Sequence, residues 1–430
     1  MILFLIYNVV LWIVMPFYLF RLLKNNKDAP AIGERWKEYF GYTPALTRDE
    51  SPLWVHAVSV GEVIAVAPLI KALHQSTTKP ILVTTTTTTG AEQVNKLLAN
   101  EVEHRFMPLD SPWAIKRFLN TVKPEKLLIM ETELWPNTLR LVHKANVPIS
   151  VVNARLSQRS YSRYLKVSSL FTLISKYLTH VICQNESDAK RFSQLGVDDK
   201  KIHISGSIKF DIPIDSSRKK SGDELRNTLG RDRQVWVAAS THAGEEQQIL
   251  DAHSKILVNH PNSLLLLVPR HPQRFSDVER LCRASGFETS RRSLNEQVSE
   301  KTTVYLCDTM GELLTLISAA DLCFMGGSLV GDKVGGHNVL EPVSLDVATI
   351  IGPSYFNFKD IVESLDARQG ILLCQESESL SNTVSLLFEQ DKQRLELARN
   401  ASLVLSEGRG AINRTLDIVT AESATSNNGI

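Results

Sequence analysis

Short apolar runs alternate with helical patterns along almost the whole chain, and this alternation limits the fold more than any other feature. The first series of runs lies at 53–58, 81–85, 104–107, 127–130, 149–153, 180–184 and 202–205. A second series follows at 235–239, 263–268, 303–307, 322–325, 349–351 and 371–374. Strands separated by helices predict parallel βαβ units, with helices covering both faces of a sheet. At 430 residues the chain is too long for one ordinary core, so two α/β domains are expected. The first is placed at 23–211 and the second at 224–421, the latter ending in a long helical stretch over 392–419. Between them 212–223, with a proline, serines and consecutive basic residues, reads as a linker, and 422–430 as a polar tail. Two doubly wound domains on one chain leave a cleft, a usual place for a small-molecule site.

Residues 1–22 stand apart. The first twenty carry no charge, and Arg21, Lys24, Lys27, Arg35 and Lys37 follow directly. Twenty helical residues cover about 30 Å, the hydrocarbon core of a bilayer. The stretch predicts an uncleaved anchor in the inner (plasma) membrane, with the remainder on the cytoplasmic side. Pro16 leaves an interfacial helix as the alternative. A net charge of +1 excludes a global pull towards nucleic acid. The five cysteines show no C-x-x-C spacing, which predicts buried, reduced thiols.

The motifs sit where strands end. Ser59-Val60-Gly61-Glu62 is a strand-to-helix turn, because Val63, Val66, Ala67, Ile70 and Leu73 then recur at helical spacing. In open α/β sheets ligands bind at such strand ends, which makes Glu62 a candidate; its plainer role is a charge facing the helix dipole. Glu131-Thr132-Glu133-Leu134-Trp135-Pro136 places two carboxylates just past another strand, and Lys209 lies where the chain leaves the first domain. In the second series, Ser240 and Thr241 open a helix, where hydroxyls and backbone N–H groups suit a phosphate. Pro269-Arg270 follows the next strand, and the arginine can pair with phosphate or pack on a base. Met310-Gly311-Glu312 opens a further helix. Asn338-Val339-Leu340-Glu341 follows two double-glycine points, and Glu341 is placed to accept from ribose hydroxyls. None of these is a Walker A or a G-x-G-x-x-G fingerprint. His56, His242, His271 and His337 fall on four separate loops, with no H-E-x-x-H and no D-x-D, so no metal and no cofactor is implied.

Taken in order, 59–62, 131–136, 153–157, 206–211, 240–246, 269–272 and 335–341 resemble the motif series of the 3-deoxy-D-manno-octulosonic acid (Kdo) transferases of lipopolysaccharide synthesis. The resemblance spans nearly the whole chain. It implies a GT-B architecture, two Rossmann-like domains with the acceptor on the first and the nucleotide sugar on the second. It further implies CMP-Kdo as donor, a lipid A precursor as acceptor, and membrane lipid as surroundings. By position Glu62 matches the family's catalytic base, and Glu131 and Lys209 match residues that stabilise the transition state. Pro269, Arg270, Met310, Gly311, Glu312, Asn338, Val339, Leu340 and Glu341 match CMP-binding segments. Two other readings remain open at this level. One is a nucleotide-sugar epimerase or hydrolase on the same architecture, the other a non-catalytic, membrane-anchored nucleotide-sugar binder.

Overall fold

The structure, a computed structural model, describes residues 2–24, 35–99, 101–211 and 216–425. The chain divides into two compact units, Met1–Asp211 with Gly408–Ile430, and Ile212–Glu407.

The first unit is built on seven parallel strands: β1 (Leu53–His56), β2 (Ile81–Thr85), β3 (Glu103–Phe106), β4 (Lys126–Met130), β5 (Ile149–Ala154), β6 (His180–Cys183) and β7 (Ile202–Ile204). Their order is β3-β2-β1-β4-β5-β6-β7, with Leu53 opposite both Ile81 and Lys126. Every residue of β2, β4 and β5 is buried, as strands covered by helices on both faces must be. The alternation of side chains sorts them into two layers. Trp54, Leu127, Ile129 and Val151 enter one apolar cluster, while Val55, Leu128, Met130 and Val152 enter the other. The helix Val60–Ser76 covers the second layer with Val63, Val66, Leu69, Ile70 and Leu73, each burial worth roughly 1.5–3 kcal/mol relative to exposure.

The second unit repeats the plan with β8 (Val235–Thr241), β9 (Leu264–Pro269), β10 (Thr289–Arg291), β11 (Val304–Leu306), β12 (Leu322–Met325), β13 (Ala348–Ile351) and β14 (Leu372–Leu373). The order is β10-β11-β9-β8-β12-β13-β14, again all parallel. β10 has no counterpart among the expected strands. It is a three-residue edge strand of Thr-Ser-Arg, with no apolar run to announce it. In each sheet the chain winds outwards in opposite directions from one pair of neighbours, β1 with β4 and β8 with β12, except that β11 returns between β9 and the edge strand β10. Loops at the carboxyl ends of such a pair part from each other and leave room for a ligand.

Three expected boundaries differ. Part of the anticipated linker is helix, since Ser216–Leu229 is helical; residues 212–215 lie outside the described residues. The long helical stretch over 392–419 is two helices, Asp391–Gly408 and Ala411–Thr425, broken where Gly410 takes φ +83. The second of them belongs to the first unit. Ala411, Ile412 and Val419 join its apolar cluster, and Asp211 accepts from the N–H groups of Gly410 and Ile412 at 2.6 Å each. The helix also runs past the expected tail boundary, to Thr425.

The N-terminal residues form a helix, Ile2–Lys24. Among the described residues no helix is long and apolar enough to cross a membrane. This helix is docked on the first unit. Phe4 is buried beneath the Arg140 guanidinium, 4.5 Å away, and the Tyr7 hydroxyl donates to Asp110 Oδ2 at 2.8 Å. Asn137 Nδ2 donates to Asn8 Oδ1 at 2.8 Å. Ile2, Leu5, Ile6, Val9, Val10, Trp12, Ile13 and Val14 remain exposed on it. The basic flank is described only in part, since Lys27 lies outside the described residues.

Asp211 provides a direct check on the returning helix. Asp211→Ala leaves two N–H groups at the start of Ala411–Thr425 without their acceptor, a loss of about 0.5–2 kcal/mol. The urea midpoint should fall, and amide exchange within residues 411–425 should accelerate while the β1 and β4 amides stay protected. Unchanged exchange in that helix would show that packing alone holds it.

Candidate active site

In the first unit the candidate residues follow β1, β4, β5 and β7. Ser59 caps the helix Val60–Ser76, its hydroxyl oxygen accepting from the Glu62 N–H at 3.4 Å. The Glu62 carboxylate folds back over the turn. Val58 N–H donates to Oε2 at 2.9 Å, and the Ser59 hydroxyl to Oε1 at 3.2 Å. This is a capping box whose glutamate reaches one residue further back than usual. Glu62 is half-buried, and that burial pushes its carboxyl up to about 7, against the pull of the Val58 N–H; the negative charges of Glu131 and Glu133 push the same way. A glutamate serving only the helix dipole would move in the opposite direction.

Glu131 ends β4 in the left-handed region, φ +55, an uncommon conformation for a residue with a side chain. Its N–H donates to the Val152 carbonyl at 3.0 Å, and its Oε1 lies 3.6 Å from Lys209 Nζ. Asn153, fully buried and at φ +51, ends β5 where the register with β6 shifts. Its Oδ1 accepts from Ile208 N–H at 3.1 Å, so the residue after Val152 holds the residue before Lys209. Asn153 thereby positions the Lys209 side of the ion pair, while the Val152 carbonyl holds the Glu131 side. Glu133 accepts from the Trp135 indole N–H at 3.0 Å. His56 lies beneath this loop, edge-on to Trp135 with centroids 5.5 Å apart, and burial lowers its pKa to about 4, so the ring is neutral packing.

The second unit is organised by a residue that sequence reasoning placed in a motif but gave no role. Glu245 is fully buried, and its carboxylate accepts four backbone N–H groups: Gly327 at 2.7 Å, Ser328 and Leu329 at 3.0 Å, and His242 at 3.1 Å. It ties the loop after β8 to the loop after β12. A Cβ on Gly327, at φ +70, would stand 3.0 Å from the His337 ring, so only glycine lets that histidine lie over the loop. His337 and His242 meet edge to edge, Nε2 to Nε2 at 2.8 Å.

The remaining candidates separate into accessible and spent groups. Arg270 is exposed, its backbone tied to the Thr241 carbonyl at 3.0 Å, and among the described residues its guanidinium makes no ion pair. Glu341 is pushed up to about 7 by burial, opposed by the charge of Arg270, so those two side chains face one region. Asn338 is half-buried and its Oδ1 accepts from Leu340 N–H at 3.2 Å. Val339, Leu340 and Pro269 are buried, which leaves their backbone rather than their side chains for a ligand. Met310 is exposed, and a Cβ on Gly311 would meet nothing within 4 Å. Glu312 is held by Arg292 at 2.7 and 2.8 Å, which lowers its pKa to about 2. Ser240 and Thr241 are buried, and the Thr241 hydroxyl donates to Glu246 Oε1 at 3.2 Å, so it is not offered to a phosphate. Glu246 in turn is paired with Arg274. Among the described residues no three His, Cys, Asp or Glu side chains are grouped to hold a metal ion.

Known proteins place this arrangement. The family model for 3-deoxy-D-manno-octulosonic-acid transferase (kdotransferase) matches residues 34–212. The 3-deoxy-D-manno-octulosonic acid transferase of Haemophilus influenzae is 39% identical over 416 residues, covering 96% of this chain and 97% of that protein. The Bordetella pertussis 3-deoxy-D-manno-octulosonic acid transferase is 31% identical over 376 residues, covering 85% and 86%. Among solved structures, a putative UDP-N-acetylglucosamine 2-epimerase from Listeria monocytogenes superposes with a TM-score of 0.53 at 14% identity, over 87% of this chain and 97% of that one; it shares the fold alone. Identity sustained over nearly the full length of both chains shows that this protein belongs to the 3-deoxy-D-manno-octulosonic acid transferase family.

Proposed function

We propose that this Kdo transferase moves Kdo from CMP-Kdo to a hydroxyl of a lipid A precursor, with inversion and with Glu62 as general base. The observation that carries the reading is the placement of Glu62, a half-buried carboxylate at a strand-end turn that accepts from the Val58 N–H at 2.9 Å and the Ser59 hydroxyl at 3.2 Å, and whose pKa burial raises to about 7. A general base works best when its pKa lies near the operating pH. The acceptor hydroxyl attacks the anomeric carbon as the bond to the phosphate oxygen breaks. Its proton passes to Glu62, and the leaving CMP carries away the electron pair. Attack opposite the leaving group inverts the centre. Lys209, held against Glu131, supplies a fixed positive charge on the acceptor side, and Arg270 meets the charge growing on the phosphate.

The proposal takes the GT-B plan implied by the motif series, with the acceptor on the first unit and the nucleotide sugar on the second. Glu341 accepts from the ribose hydroxyls, and the exposed backbone at Met310 and Gly311 serves the base. The exposed apolar residues of the helix Ile2–Lys24 support an inner-membrane site, and the basic residues that follow it in sequence support catalytic units on the cytoplasmic side. Because Tyr7 and Asn8 bind that helix to the first unit, it would hold the acceptor-binding unit at the lipid surface. The epimerase, hydrolase and binder readings have only the shared fold in their favour.

Glu62→Gln keeps the size of the side chain and removes the basic oxygen. Turnover should fall about 10²–10⁴-fold, with CMP affinity by calorimetry and the urea midpoint unchanged. If Glu131→Gln abolished turnover while Glu62→Gln retained it, the base would be Glu131. The same assay tests for a metal. A CMP-activated sugar has a single phosphate and needs no ion to bridge a diphosphate. Turnover with excess chelator should stay within a few-fold of the untreated rate. Complete loss, restored by magnesium or manganese, would overturn a metal-free reaction.

A further inference from the structure

Three histidines that the mechanism does not use surround the exposed arginine of the second unit. His242 and His337 face each other through Nε2 at 2.8 Å, with centroids 5.1 Å apart and planes only 15° apart. Those values put the rings edge to edge in one hydrogen bond. One nitrogen must donate and the other accept, so the facing pair holds a single proton between them. A proton on both would bring two N–H groups head to head. His271 stands edge-on to His242, with centroids 5.1 Å apart. Each element packed here contributes charge differently. The loop after β8 brings Glu245, whose oxygens are taken up by four backbone N–H groups, and Glu246, paired with Arg274. The loop after β9 brings Arg270, His271 and Arg274, and the segment after the glycine loop brings His337 and Glu341. Glu341 is pushed towards its neutral form by burial. Arg270 is therefore the permanent charge without an ion-pair partner among the described residues. Burial first, then the neighbouring histidines and Arg270, lower His337 to about 4; burial, His271, Arg270 and Arg274 lower His242. Near pH 7 the His242–His337 pair is therefore largely neutral.

We infer that His242, His271 and His337 form with Arg270 a proton-linked seat for the phosphate monoester of a nucleotide, so that the anion binds together with a proton. The inference rests on the proposed donor site in the second unit and adds a role for the histidines. A phosphate dianion beside Arg270 offsets one of the positive charges that, after burial, hold down the proton affinity of His242 and His337. The rings' proton affinity then rises, and a proton taken from solvent onto the His242–His337 pair supplies a charge-assisted hydrogen bond to the anion. By linkage, affinity falls as pH rises above the free-cluster range, approaching tenfold per pH unit while one whole proton is taken up.

The experiment is calorimetry on the full chain with CMP at pH 7.5, run in Tris and in HEPES, whose heats of ionisation differ. At that pH the phosphate, with its second pKa of about 6, is already mostly ionised, so uptake reports the protein. Wild type should take up a measurable fraction of a proton with CMP and none with cytidine, which lacks the phosphate. His337→Gln should bind CMP several-fold more weakly and with uptake near zero, while retaining its melting temperature. CMP binding with no uptake, or equal uptake with cytidine, overturns the proposal and leaves the donor site standing. Those two wild-type results decide it even if the variant does not fold. Failure of wild type to bind CMP at all would overturn the donor site, and this inference with it.

Discussion

The chemistry of the first unit depends on a contest over one carboxylate. The N-terminus of the helix Val60–Ser76 and the Val58 N–H favour the charged form of Glu62. Burial disfavours it, and Glu131 and Glu133 add like charge. Burial wins, and the group comes to rest near neutrality instead of near the usual carboxylate value. The Lys209–Glu131 ion pair belongs to the same balance, since the ammonium offsets part of the charge beside Glu62. A helix-start glutamate thus has its carboxyl raised towards neutral pH by the surroundings that the switch point of the sheet brings to it, as the proposed role of general base requires.

Three of the residues with a strained backbone lie among the candidate motifs. Glu131, Asn153 and Ser240 all take positive φ, and all three stand at the carboxyl ends of strands that carry candidate residues. Such conformations cost roughly 1–3 kcal/mol each, and each is fixed by its neighbours. Val152 accepts from Glu131, Asn153 accepts from Ile208, and Arg270 donates to the carbonyl of the residue after Ser240. The second unit adds the Glu245 carboxylate, which holds the glycine loop by four N–H groups and so sets where His337 can lie.

Much of this was legible in the sequence because it is local. The buried strands announce themselves as apolar runs, and β2 and β12 fall at the expected residues. The turn before Glu62 reads directly from strand, glycine and helical periodicity. What did not read is long-range or edge-like. β10 is short and polar, so periodicity had nothing to detect. The break at Gly410 lies inside a continuous helical pattern, and the packing of Ala411 and Val419 and the Asp211 hydrogen bonds, all long-range, assign the last helix to the first unit. Thr241 stands in a turn that suits a phosphate ligand, but its hydroxyl is bonded to Glu246, and Glu312 is spent on Arg292 twenty positions earlier. The His242–His337 pair joins residues 95 positions apart, which no spacing within either motif could show.

The most direct test of Glu62 as a base matched to neutral pH is its own titration, followed by carbon-13 NMR on protein labelled at the glutamate side-chain carboxyl. One resonance, absent from Glu62→Gln, should titrate with a midpoint near 7. A Glu62 resonance titrating in the ordinary carboxylate range, about 4.5 or below, would contradict the account and return the residue to the role of a helix-start charge.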